Sequence, residues 1–189
     1  MLRRQMTGLL FLGISIVCAK QGLQTVAADE PQSGQLGVTQ LQAGFAEREI
    51  TPPEPFPMAG YFHERLSEGT TDPLLARAAV FSDGQQQAAI VVCDLIAVWT
   101  DFAGIVRQRA SEQTGIPAAA IVVTATHSHT APDYAAVFTA WLSAQRPETA
   151  TTFAGNPVPA ADRLKYMDLL VGNTVGAIVD AHRRLTPVS

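Results

Sequence analysis

The sequence contains very little cysteine. Of its 189 residues only Cys18 and Cys93 are cysteines. Cys18 lies in an N-terminal segment that we expect to be removed, so one cysteine would be left and no internal disulfide could form. Cys93 lies within the apolar stretch AAIVVCDL, and we expect it to be a buried, small apolar residue. An apolar core must then stabilise the protein, and 47% hydrophobic residues suit one globular domain.

Charge is also scarce, and positive charge is the scarcer sign. Charged residues make up 16% of the chain, with 13 basic and 17 acidic residues and a formal net charge of -4. Residues 1–28 hold three basic residues and no acid, so 10 basic and 17 acidic residues remain without them, a net charge of -7. Binding to nucleic-acid phosphates needs a basic surface. The composition therefore argues against a nucleic-acid partner.

Long apolar runs are missing as well. The N-terminal apolar run, residues 8–19, is shorter than the roughly 20 residues that a membrane-spanning helix needs. It follows Arg3 and Arg4 and precedes small residues such as Ala28, which is the pattern of a signal peptide. We predict a cleaved, unlipidated signal peptide over residues 1–28 rather than a membrane anchor, a linker over residues 29–42, and a secreted or periplasmic protein.

The remaining sequence predicts alternating strands and helices. Strands are expected over residues 41–51, 76–82, 87–95 and 119–126, with Asp83 and Gly84 forming a tight hairpin turn. Helices are expected over residues 100–114, 134–145 and 161–184, the first capped by Thr100 or Asp101 and ended by Gly115. Residues 58–75 and 146–159 show no period and indicate loops, the first long enough to suggest a functional or mobile segment. This order predicts an α/β fold, a layered mixed sheet with flanking helices.

A pair of histidines directly follows the last predicted strand. The stretch TATHSHTAPDY, residues 124–134, carries His127 and His129. Alternate residues of an extended segment point to the same side, so the two rings could face one metal. A polar strand end with solvated histidines is the alternative. Catalytic zinc sites have three protein ligands and structural ones four, so this pair alone would not complete either.

Four ordered blocks resemble a known family. AGFAEREITPP, PMAGYF, LLARAAVFSDGQQQAAIVVCDL and IVVTATHSHTAPD are similar to the N-terminal catalytic domain of the neutral/alkaline non-lysosomal ceramidases. The resemblance spans about residues 43–185. It covers only the first part of that domain, so residues 43–189 are interpreted as an incomplete N-terminal portion of a larger catalytic domain.

The resemblance implies a zinc-dependent hydrolase of the amide bond of ceramide or a related N-acyl lipid, releasing fatty acid and sphingoid base. It makes His127 a zinc ligand and His129 a catalytic donor to the substrate carbonyl as negative charge develops. Chelation of one metal by both rings is the alternative. The implied partners are a ceramide-like lipid and, transiently, a membrane surface.

The rest of the family's site has no counterpart in this sequence. The family uses a second distant histidine, a glutamate, a tyrosine and a serine, all from later parts of its chain. A non-catalytic truncated product or binding module of the same fold is therefore the competing hypothesis. A two-metal hydrolase is disfavoured, since Ala131 and Pro132 stand where further metal ligands would be needed.

Other polar and aromatic residues receive structural interpretations. We expect His182 to be solvated near a helix end, and Asp94 to be a hydrogen-bonded strand-end acid rather than a group that orients a histidine. Asp133 is expected to cap a helix rather than to take part in catalysis. The remaining candidates are loop residues, which could alternatively line the entrance to a site, and core aromatics: His63, Arg65, Tyr134 and Trp141.

Overall fold

The computed structural model describes residues 40–63, 65–145 and 161–188. Its elements are β1 (Gln42–Glu49), β2 (Leu75–Ser82), β3 (Gln87–Cys93), α1 (Thr100–Thr114), β4 (Ile121–Ala125), α2 (Ala135–Gln145), α3 (Ala161–Arg183) and β5 (Thr186–Pro187). A single 3-10 turn, Ala118–Ala120, leads into β4. The predicted signal peptide, nearly all of the predicted linker and the loop predicted at 146–159 lie outside the described residues.

The five strands form one mixed sheet in the order β4-β3-β2-β1-β5. β1, β2 and β3 pair antiparallel, whereas β3 and β4 are parallel and are joined through α1. Parallel neighbours need such a crossover connection. It places Cys93 opposite Ala125, so the segments that follow β3 and β4 leave the sheet side by side. The predicted mixed sheet with flanking helices is confirmed.

Helices cover one face of the sheet. α3 packs on β1, β2 and β3, while α1 packs on α3 and β4. The strand residues beneath them include Val80, Val91 and Cys93, all with no exposed surface. Burial of Cys93 confirms the interpretation of this residue. The close approach of α3 requires Gly44, because a Cβ there would overlap the backbone carbonyl oxygen of Ala181.

The opposite face of the sheet is apolar and exposed. Phe45, Ala79, Ile90 and Val122 are paired in register and form a row across β1, β2, β3 and β4. Phe45 is 63% exposed and Val122 is 52% exposed. We call this surface, together with Phe81, the open face. The Phe81 ring meets that of Phe45 edge to face, with centroids 6.3 Å apart.

Two local predictions need correction, and one short strand was not predicted. The cap position of α1 falls on Trp99, whose side chain makes no capping hydrogen bond, so neither Thr100 nor Asp101 caps the helix. The β2–β3 connection runs over residues 83–86 and is longer than a tight two-residue turn. Within it the Asp83 carboxylate accepts hydrogen bonds from the backbone N–H groups of Gln85 and Gln86. These bonds hold the pKa of Asp83 below its ordinary value. The edge strand β5 was not predicted, since two residues show no period.

Other expectations are confirmed. Gly115 ends α1 in the left-handed region at φ 78°, and its N–H donates to the carbonyl of Ser111. Tyr134 and Trp141 are buried, at 1% and 4% exposure. Among the helices of the described residues, none is both long and apolar enough to cross a membrane.

Candidate functional site

Three segments meet where the parallel strands β3 and β4 end. The first two follow these strands, and they are joined by backbone hydrogen bonds from Thr126 N to Cys93 O (3.0 Å) and from Ser128 N to Leu95 O (3.1 Å). The third is the loop after β1. Ligands of α/β sheets commonly bind beyond the carboxyl ends of strands, and both predicted site histidines lie there.

A backbone carbonyl holds the His127 ring. Nδ1 of His127 lies 2.8 Å from the carbonyl oxygen of Ile96. A carbonyl can only accept, so Nδ1 carries the proton, and in a neutral ring Nε2 keeps its lone pair. Metal-binding histidines are commonly oriented by a carbonyl at the other ring nitrogen. His127 also has φ 64°, a left-handed conformation that is uncommon for residues other than glycine and is often found at functional sites.

His129 packs against the loop that follows β1. Its Nδ1 lies 3.3 Å from the carbonyl oxygen of Gly60. Gly60 has φ 90°, and a Cβ there would overlap Nδ1 of His129, so only glycine allows this approach. The His127 and His129 rings are nearly perpendicular, with centroids 5.0 Å apart. Both side chains are exposed.

The loop that bears Gly60 is fixed to the histidine segment by its backbone. Ala59 N donates to Ala131 O (2.9 Å), and Asp133 N donates to Pro57 O (2.7 Å). Two of the sequence blocks that carry the family resemblance, PMAGYF and IVVTATHSHTAPD, therefore lie side by side, although about 70 residues separate Gly60 from His129. The contact places the start of the long loop over residues 58–75 against the histidine segment, and a functional role of that loop stays a prediction.

Asp94 binds within the sheet, and none of its hydrogen bonds in the described part of the chain involves a histidine. Its Oδ2 accepts hydrogen bonds from Leu75 N (3.0 Å) and from Arg77 Nη1 (2.9 Å). Arg77 also lies 3.6 Å from Glu47. The interpretation of Asp94 as a hydrogen-bonded strand-end acid is confirmed.

His182 is far from the site. It lies near the end of α3, and its Nε2 is 3.2 Å from Oε1 of Gln87, at the start of β3 and so at the opposite end of the sheet from His127. Its partial burial corrects the expectation of a solvated side chain. Asp133 stands before α2, and its Oδ1 is 3.4 Å from Ala135 N, which agrees with a capping role.

His63 and Arg65 lie in the loop after Gly60. The Arg65 guanidinium stacks over the Tyr61 ring at 3.9 Å from the centroid. Tyr61 also neighbours His63, with ring centroids 6.1 Å apart. Both residues therefore surround an aromatic side chain near the site, and neither contacts His127 or His129 in any described hydrogen bond.

A cavity of about 450 Å³ adjoins the histidine segment, a volume within the range of small-molecule sites. Its walls include Phe56, Arg77, Asp94 and Thr130. Thr130 follows His129 directly. The cavity therefore borders the segment that follows the two histidines, and neither histidine belongs to its lining.

Three contributors to the site were not predicted. Gly60 carries a signal that could have been used, since a single glycine within PMAGYF can mark a backbone position that needs a positive φ. The carbonyl of Ile96 has no sequence signal, because every residue has one. Tyr134 was assigned to the core, and its buried hydroxyl also bonds to the segment after β3.

The described residues do not by themselves form a complete metal site. Among residues 40–63, 65–145 and 161–188, no group of three or more His, Cys, Asp or Glu side chains could hold a metal ion. His127 offers one suitably oriented nitrogen, whereas catalytic zinc takes three protein ligands. These described residues therefore offer His127 as one possible ligand of the three that a catalytic zinc needs.

Comparison with known proteins identifies the fold. No family model and no curated protein matches the sequence. The solved structures that do match include neutral ceramidase from Pseudomonas aeruginosa, at 20% identity, and a ceramidase complexed with C2, at 21% identity. Each superimposes with a TM-score of 0.57 over 79% of this chain and 22% of the other. The chain thus spans about a fifth of these ceramidases, and it has the fold of that part of a neutral ceramidase.

Proposed function

We propose that this chain forms the histidine-bearing part of a zinc-dependent hydrolase that cleaves the amide bond of ceramide or a related N-acyl lipid. One observation carries the proposal: a ceramidase-like fold presents His127 at the carboxyl edge of its sheet with Nδ1 bound to a carbonyl. The products would be a fatty acid and a sphingoid base.

His127 is the zinc ligand in this proposal. With Nδ1–H bound to Ile96 O, Nε2 is the atom through which His127 would hold the metal. A zinc ion held there would supply an activated water and a Lewis acid for the substrate carbonyl. His127 adopts a positive φ, and its ring is held by the Ile96 carbonyl in the segment that follows β3.

His129 is the second catalytic group. Its Nδ1 faces a carbonyl that can only accept, so Nε2 donates a proton to the substrate oxygen only when the ring is doubly protonated. A neutral ring would present a lone pair at Nε2, which is what chelation requires. The protonation state of His129 therefore separates the donor role from the chelate role.

A lipid partner accounts for the exposed aromatic residues beside the site. Phe62 is fully exposed and Tyr61 is 45% exposed, on the loop that contacts His129 through Gly60. Aromatic side chains at a lipid–water boundary keep an apolar body in lipid and a polar edge in water.

We expect Phe62→Ser to weaken binding to phosphatidylcholine vesicles several-fold. Phe81→Ser, at the other end of the sheet, is the matched control.

Export is part of the same proposal. Arg3, Arg4 and the apolar run before Ala28 support removal of residues 1–28. The mature chain should begin near Asp29, which mass spectrometry of its N-terminal peptide would show. Recovery of intact Met1 from the cytoplasmic fraction of the native host would contradict it.

A non-catalytic binding module is the second candidate. The finding in its favour is that no group of three metal-binding side chains occurs within the described residues. For the 189-residue chain alone we expect weak zinc binding and no ceramide hydrolysis above background, because efficient attack requires a fixed metal geometry.

The deciding experiment uses the complete polypeptide that contains this sequence. His127→Ala should abolish both zinc retention and hydrolysis, whereas His129→Ala should keep most of the zinc and reduce hydrolysis about 100-fold. His182→Ala, at the far end of the sheet, should change neither. Equal zinc loss in the first two variants would establish chelation. A wild-type protein without zinc or hydrolysis would support the binding module.

A further inference from the structure

The segment between β3 and α1 determines where His127 stands. Leu95 O accepts the backbone N–H of Ser128, and the next carbonyl, that of Ile96, accepts Nδ1–H of His127. Both bonds bind the histidine segment to one short stretch of backbone. A change in the path of residues 95–99 would therefore move or release the His127 ring.

Tyr134 holds this stretch from inside the core. Its hydroxyl donates to Ala97 O at 3.0 Å and accepts from Trp99 N at 3.3 Å. Ala97 directly follows the residue that binds His127. One hydroxyl thus joins two backbone groups of residues 97–99 and fixes their spacing.

The tyrosine itself is rigidly placed. It is 1% exposed, and its ring packs against Phe102 and Phe138, with centroids 5.5 Å and 6.2 Å away. Burial raises the pKa of Tyr134 to about 12, so its hydroxyl remains a donor throughout the neutral range. Buried hydrogen bonds between well-packed groups of this kind enforce one geometry.

We propose that Tyr134 is a positioning residue for His127: its hydroxyl fixes residues 97–99, so that the Ile96 carbonyl keeps the proton on Nδ1 and directs Nε2 outward. The inference deepens the proposed function, since Nε2 is the atom assigned to zinc. The position of the proton on the His127 ring is a property of the protein alone, so it can be tested without metal or substrate.

The test is the tautomer of His127, read from nitrogen-15 chemical shifts of the imidazole rings at a pH where the rings are neutral. In the wild-type protein the Nδ1–H form should predominate at His127. Tyr134→Phe retains the aromatic ring and removes only the hydroxyl. We expect it to shift His127 toward the Nε2–H form that solvated histidine prefers, and to leave His182 unchanged.

Tyr166→Phe is the matched control. The Tyr166 hydroxyl is also buried and donates to a backbone carbonyl, that of Ile50, at 2.7 Å, but this carbonyl does not belong to residues 95–99. Both variants should lose stability to a similar extent, and only Tyr134→Phe should change the His127 tautomer. An unchanged tautomer in Tyr134→Phe, or an equal change in both variants, would overturn the proposal.

A measurement on the unsubstituted protein covers the case in which Tyr134→Phe does not fold. The Trp99 amide should then exchange its hydrogen slowly in the wild type, because it donates to the buried Tyr134 hydroxyl. Fast exchange at Trp99 would show that residues 97–99 are not held and would overturn the proposal.

In the complete enzyme, Tyr134→Phe should also weaken zinc binding about 10-fold. An altered tautomer with unchanged zinc affinity would contradict zinc ligation by His127 and leave the positioning role intact.

Discussion

The two faces of the sheet carry similar side chains in very different surroundings. On the helix-covered face Val80, Val91 and Cys93 have no exposed surface. On the open face their sequence neighbours Phe81 and Ile90 are 40% and 38% exposed. Adjacent residues of the same strands, both apolar, thus differ because one points toward α3 and the other away from it.

The apolar composition of the strands suits a sheet that is covered on both faces. The run AAIVVC in β3 has no polar alternation, and strands of this composition are typical of sheets with both faces buried. The open face has the character of a packing surface, and exposed apolar patches in proteins commonly mark interaction sites. Substitutions on opposite faces should therefore have separable effects, on folding for one face and on association for the other.

The largest effect is expected from Gly44→Ala. A Cβ at Gly44 would overlap backbone atoms at the end of α3, which cannot move as a side chain could, so we expect a loss of about 3 kcal/mol in the free energy of unfolding. Phe45→Ala, one residue along and on the open face, should cost less than about 1 kcal/mol. Urea denaturation followed by circular dichroism measures both. Equal losses would show that the two faces are equivalent in stability.

An intermediate effect is expected from alkaline pH, through the covered face. Burial raises the pKa of Cys93 from 9.0 to about 11, so the folded state favours the neutral thiol. This contribution to the free energy of unfolding is complete below pH 9. Between about pH 9 and 11 the free energy of unfolding should fall by on the order of 2 kcal/mol. Burial raises the pKa of Tyr134 and Tyr166 as well, and their ionisation acts in the same direction.

Cys93→Ala provides the control for the alkaline prediction. The variant is less stable at neutral pH because it loses buried sulfur, but its stability should fall less steeply between pH 9 and 11. Unfolding free energies measured at several pH values give the two slopes. Identical slopes would mean that the thiol of Cys93 does not contribute.

The smallest effect on stability is expected from Ile90→Lys on the open face. Exposed positions usually change stability by no more than about 0.5 kcal/mol, but a charge in the centre of the apolar row should reduce self-association of the chain. Leu169→Lys is the control, since Leu169 is 41% exposed on α3, away from the open face. Sedimentation velocity over a range of concentrations compares them. Self-association equal to that of the wild type in both variants would show that the open face does not mediate it.

Features that depend on neighbouring residues could be predicted from the sequence. The extent of α1, its end at Gly115 and the pairing of β2 with β3 follow from local periodicity and glycine placement. The cap at Trp99 and the strand β5 could not be predicted in this way. Tertiary contacts decide both: α1 begins where Tyr134 holds the preceding segment, and β5 exists because α3 returns the chain to β1.

In the candidate site, too, some residues could be predicted from the sequence and others could not. The pattern HSH at the end of an apolar strand, with the family resemblance, pointed to His127 and His129. The groups that orient them are carbonyls of Ile96 and Gly60, and backbone carbonyls carry no sequence signal. Tyr134 was assigned to the core correctly, but the targets of its hydroxyl depend on a segment 35 and 37 residues away.

The sequence by itself determined an apolar core, strands and helices in a definite order, and two histidines at the end of β4. Only the tertiary structure decided which face of the sheet lies under α3. The period of two assigns Phe45 and Gly44 to opposite faces, but with apolar residues on both it does not say which face is covered. That choice follows from the close approach of α3 that Gly44 allows, and likewise only the meeting of distant backbone segments determined which nitrogen of His127 is left free.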